Sequence, residues 1–160
     1  MMSDYLRFGK PISKRNGLLL AGFLILFFLA MRALGLAHEY YLRVFNAVIL
    51  MLVIGLSVLR YRSSLTEERY GSFFDLYKLA LRTSFIGVAT FSVFLAFYLD
   101  LIDPTFMMEI QEQESPGPYM SPISAAGIVF IEGFGSSFIF SYLVIQLLKK
   151  PTVQFESQEA

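Results

Sequence analysis

The sequence predicts an all-α fold, an integral membrane four-helix bundle, and three observations lead there. Four long apolar stretches, at 17–37, 44–60, 82–102 and 123–148, occupy more than half of the 160 residues. The chain is 56% hydrophobic with a positive mean hydropathy, more than a soluble domain usually carries. Threaded alternately, the stretches leave eleven of the thirteen Lys and Arg residues on one side. With a helix rise of about 1.5 Å per residue, about 20 residues cross a hydrocarbon core of about 30 Å, so each stretch is a candidate span.

The first span follows a basic leader containing Arg7, Lys10, Lys14 and Arg15. Pro11 and the Ser13-Lys14-Arg15-Asn16 cluster predict that no helix runs unbroken from the leader into the span. Its apolar run outlasts the roughly 7–15 residues of a signal-peptide core, which favours a retained helix. A tight turn around His38-Glu39-Tyr40 makes the first two spans an antiparallel hairpin. After a polar loop, Ser72 is placed to cap a new helix, with Asp75 in the third position of a capping box. From there Phe73, Leu76, Tyr77, Ala80 and Ser84 share one face, while Asp75, Lys78 and Arg82 hold another. The pattern predicts one helix from Ser72 to about Ile102 whose first turns form an amphipathic extension at the membrane interface. Asp103-Pro104 ends it, because a residue before proline avoids the α region. The 103–122 loop, with Pro104, Pro116, Gly117, Pro118 and Pro122, predicts only fragments of structure, and 151–160 a flexible tail. The whole chain reads as a single transmembrane domain.

Lys and Arg in short loops set membrane orientation, so both termini are expected in the cytoplasm, leaving only Arg32 and Arg43 toward the outside. Tyrosines stand in for the absent tryptophan at the boundaries: Tyr40, Tyr41, Tyr98 and Tyr119 outside, Tyr61, Tyr70 and Tyr77 inside. Lys14, Arg15, Arg60, Arg62, Lys78, Arg82, Lys149 and Lys150 flank spans, which points to anionic lipid headgroups as partners and not to nucleic acid.

Chemistry-bearing residues are few. With no cysteine, disulfides, thiolate metal sites, iron–sulfur clusters and cysteine nucleophiles are excluded. His38 is the single histidine, so a bis-histidine haem within the chain is excluded. No phosphate-cradling glycine loop, nucleophile elbow or zinc-protease motif is present, and the expectation is a protein that is not an enzyme and holds no cofactor or metal. Two charges fall well inside spans, away from their ends. Arg32 and Glu132 sit at depths of about 8–12 Å from the outer ends of the first and fourth. A charge in hydrocarbon costs at least about 2.5–3.5 kcal/mol, so a shared depth invites an Arg32–Glu132 ion pair. The alternatives are Glu132 as a proton or cation site, or an Arg32 that snorkels outward. Beside Glu132, the residues Gly133, Ser137 and Ser141 recur every four positions, a small-residue face for close helix packing against the same chain, another copy or a foreign subunit.

The segment from Gly71 to Ala80 (Gly-Ser-Phe-Phe-Asp-Leu-Tyr-Lys-Leu-Ala), with Asp103-Pro104-Thr105-Phe106 after the third span, resembles a family of small four-helix bacterial inner-membrane proteins of unknown function. The resemblance implies the architecture and an inner-membrane location and carries no activity. The functional expectation is a non-catalytic accessory or scaffold subunit that packs into a larger membrane complex or a homo-oligomer. The alternative is a small oligomeric transporter or channel using the Glu132 region.

Overall fold

The computed structural model describes residues 5–36, 39–65, 72–113 and 119–148. His38, Lys149, Lys150 and the 151–160 tail lie outside them. Among the described residues every regular element is helical. The long ones are α1 (Lys10–Ala33), α2 (Val44–Ser63), α3 (Phe73–Phe97) and α5 (Pro122–Leu147); α4 (Pro104–Gln113) is short. All four long helices are long and apolar enough to cross a membrane. Two connections depart from the sequence expectations, the leader into α1 and the 103–122 segment.

α1 begins well before the apolar run, preceded by a π-helical turn over Tyr5–Gly9. Pro11 does not interrupt it, because it sits in the first turn, where a missing N–H goes unused. The far end closes at Gly35, whose φ of +70° suits a residue without Cβ. There Gly35 N–H donates to Arg32 O at 3.1 Å and Leu36 N–H to Met31 O at 2.9 Å, the paired bonds of a Schellman ending.

α3 starts as expected. Ser72 is its N-cap, and its side chain accepts from Asp75 N–H at 3.2 Å. A π-helical turn, Tyr98–Ile102, extends the helix to the expected stop. The 103–122 loop is where the expectation fails, because Asp103-Pro104 opens a helix as well as closing one. The Asp103 carboxylate accepts from Phe106 N–H at 3.1 Å and from the Thr105 hydroxyl, and Pro104 takes the first helical position of α4. α5 follows with Ser121 and Ser124 capping each other's backbone and Pro122 in the first turn.

The core lies where α3 packs against α1, α2 and α5. Leu20, Leu24, Leu50, Ile54, Val58, Leu76, Leu79 and Phe91 are buried in it. α1 and α3 approach closest at a pair of glycines. A Cβ on Gly87 would lie 2.8 Å from Leu20 Cβ, and one on Gly17 would lie 2.7 Å from Ile86 Cβ. No side chain fits at either position: Leu20 packs onto Gly87 and Ile86 onto Gly17, the close approach that small residues allow. Nearby, Asn16 is fully buried and donates to Ser57 Oγ at 2.9 Å, Ser57 in turn donates to Val53 O at 2.7 Å, and Arg60 donates to Asn16 Oδ1. Arg62 donates to Leu148 O at 2.6 Å, satisfying a carbonyl at the end of α5. Arg60 and Arg62, expected at lipid headgroups, therefore spend hydrogen bonds inside the bundle. Lys14, Arg15 and Lys78 are exposed, and Arg82 is half-buried. Two of the boundary tyrosines, Tyr61 and Tyr98, are buried instead, whereas Tyr41 and Tyr119 are exposed.

Candidate functional site: a cavity beneath α4

Arg32 leaves the last turn of α1 and meets α4, not α5. Its Nε donates to Asp103 Oδ2 at 2.7 Å and its Nη1 to Glu109 Oε2 at 3.0 Å. The guanidinium carbon lies 4.3 Å from the centre of the Phe106 ring, a cation–π contact. The expected Arg32–Glu132 pair is thus corrected. Depth along two helices matched, but the two side chains belong to different neighbours, and two acids beside α4 take the arginine. The same hydrogen bond from Arg32, helped by Thr105 and the Phe106 N–H, lowers the Asp103 pKa to about 2.

Beneath this clasp, Phe106 and Met107 point inward and are buried. Phe106 joins an aromatic cluster around Phe28 of α1. Ring centroids lie 5.1 Å to Tyr98, 6.1 Å to Phe106, 6.2 Å to Phe91 and 6.3 Å to Phe94. Gln111 donates to Met120 O at 2.7 Å, tying the end of α4 to the start of α5. α4 is therefore fastened to α1, α3 and the α5 cap.

α4 roofs a cavity of about 550 Å³ walled by all four long helices. Leu24, Leu50, Phe91, Leu95 and Val129 make an apolar interior. Charged groups collect at its edge: Glu39, Arg43, Glu109 and Glu132. Empty, a closed apolar void of this size would cost on the order of 10 kcal/mol at the usual penalty per Å³. That rivals the whole stability of a domain. α2 and α5 meet toward the ends away from α4. There Gly55 leaves a would-be Cβ 3.7 Å from Val144 Cγ1, and Arg62 reaches Leu148. Toward α4, Val44 of α2 is 59% exposed and Ile128 of α5 is 49% exposed, and both line the cavity. The cavity opens sideways between them.

Glu132 stands at that side opening, exposed, and among the described residues no ion pair reaches it. The Ser136 hydroxyl donates to the Glu132 backbone carbonyl, not to its carboxylate. The small-residue face Gly133, Ser137, Ser141 runs next to it. Ser137 and Ser141 are fully buried, and a Cβ on Gly133 would lie 3.0 Å from Val88 Cγ1 of α3. The partner of that face is α3 of the same chain. Sequence reasoning missed the Asn16 network, the Gly17–Gly87 crossing and α4. The readable signals were a polar residue four positions before Leu20, a Thr83-x-x-x-Gly87 small-residue step, and an Asp-Pro pair that suits a helix start. Among the described residues no group of three or more His, Asp or Glu side chains is arranged to hold a metal. No family model, curated protein or solved structure matches this chain.

Proposed function

We propose that the chain is a non-catalytic integral membrane protein, an accessory or scaffold subunit that docks into a larger complex through the outer half of α5. The observation that carries the reading is Glu132. It lies about 15 Å along α5, at membrane depth, exposed beside Ser136. A carboxylate facing lipid there carries a penalty of at least about 2.5–3.5 kcal/mol, which a donor on a partner helix removes. In this reading both termini are cytoplasmic, α4 faces the outside of a bacterial inner membrane, and the first turns of α3 lie along the inner interface. The basic residues at 14, 15, 78, 82, 149 and 150 then meet anionic headgroups, and the likeness of the Gly71–Ala80 segment to small inner-membrane proteins agrees with that placement. The test is purification from native membranes in mild detergent. Wild type brings stoichiometric partners, and Glu132→Gln loses them while keeping its own fold; recovery of wild type only as a free monomer rejects the reading.

A second reading, a small oligomeric transporter or channel, draws on the cavity that Glu132 borders. It predicts cation flux in proteoliposomes that Glu132→Gln abolishes. Equal leakage from both proteins would exclude it.

A further inference from the structure

The cavity under α4 has the shape and polarity of a place for one lipid tail. Its interior is mostly apolar, with Asn46 on the α2 wall and Ser136 on the α5 wall as the uncharged polar side chains of the lining. At about 550 Å³ it falls within the range of small-molecule sites, roughly 300–1,000 Å³. A partner helix does not fit: at a diameter of about 10 Å, such a volume holds little more than one turn. A thin flexible chain does fit, and the side opening between Val44 and Ile128 faces the medium from which one would come.

The rim adds a preference for the headgroup. Glu39, Glu109 and Glu132 are acidic and Arg43 is basic. Arg32, behind Glu109, is already held by Asp103 and Glu109. The balance of charge around the mouth is negative, which repels an anionic headgroup and attracts an ammonium. We infer that the cavity binds one acyl chain of an amine-bearing lipid from the leaflet on the α4 side. The tail enters between α2 and α5, and the ammonium rests at the rim beside Glu39 and Glu109. The inference goes beyond the subunit reading, since the site lies within one chain and its occupancy needs no partner.

Native mass spectrometry of the detergent-purified full chain, titrated with lysophosphatidylethanolamine and with lysophosphatidylglycerol, tests it. Wild type should take up one ethanolamine lipid saturably, at least fivefold more tightly than the glycerol lipid. Ala47→Phe from the α2 wall and Val129→Phe from the α5 wall should each weaken uptake at least tenfold. Gly135→Leu adds bulk where nothing lies within 4 Å and should leave it unchanged. Unsaturable adducts equal in all four proteins mean surface lipid only and overturn the site. Preference for the glycerol headgroup overturns the amine assignment. If the two wall variants do not give a monodisperse species, competition on wild type decides. Displacement by dodecylamine and not by dodecanoate supports the site, and equal displacement rejects it.

Discussion

Replacing Arg32 by methionine should loosen α4 and leave the four long helices in place. The arginine makes two charge-assisted hydrogen bonds, to Asp103 and Glu109, and one cation–π contact with Phe106. Each such hydrogen bond contributes about 1.5–3 kcal/mol when well shielded, and the cation–π contact about 0.5–1 kcal/mol. Shielding here is incomplete: the Arg32 side chain is 21% exposed and that of Glu109 is 43% exposed, so Glu109 simply rehydrates when released. Asp103 is the costlier loss at 17% exposure. Methionine keeps part of the packing on Phe106. The net effect is about 2 kcal/mol, or roughly a thirtyfold rise in the undocked population of α4. Hydrogen–deuterium exchange reads this directly, as faster exchange of the α4 amides with little change in α3. A double-mutant cycle adds a second readout: Arg32 and Asp103 should couple by about 1–3 kcal/mol, and Arg32 and Glu132 should be additive. Unchanged protection in α4, or coupling to Glu132 as large as to Asp103, would refute the clasp.

The folded-state pKa of Asp103 lies below its ordinary value, so its contribution to α4 docking is complete above about pH 4 and disappears as pH falls toward about 2. Because the chain has no native cysteine, a nitroxide on Glu112→Cys reports only α4, and its mobility should rise in that window and not between pH 8 and 5. Gly87→Leu should lower the thermal midpoint in detergent sharply, through overpacking of at least about 1–3 kcal/mol against Leu20. Gly22→Leu, which meets nothing within 4 Å, should leave it near wild type. Asn16→Ala takes an acceptor from the Arg60 guanidinium and a donor from Ser57, whose hydroxyl keeps its bond to Val53 O, and should cost about 1–3 kcal/mol in chemical denaturation, whereas Lys14→Ala, on an exposed position, should have no measurable effect.

The four long helices are readable because runs of about 20 apolar residues leave a chain little choice. Helix ends were read less well. Pro11 was read as a break and is accommodated in a first turn, because proline's missing donor matters only once a carbonyl four residues back needs it. α4 escaped because it is short, rich in acids and opened by the same Asp103-Pro104 pair that stops α3. The Gly133, Ser137, Ser141 face was legible from four-residue spacing alone, but spacing does not say which helix faces it; Val88 does. The Arg32–Glu132 expectation failed for a related reason. Counting rise fixes a residue's height on a helix and leaves its direction around the axis open, and direction decided that Arg32 meets Asp103 and Glu109. The cavity had no sequence signal at all, because it is a space between helices that touch elsewhere.

The one-sided contact between α2 and α5 gives the bundle the mechanics of tweezers. Gly55 against Val144 acts as a fulcrum, and from there to Val44 the free arm of α2 measures about 16 Å. A tilt of roughly 10° about that point swings the tip of α2 by about 3 Å with only slight strain at the joint. A small rotation at Gly55 therefore changes the α2–α5 distance far more at Val44 than at the contact itself.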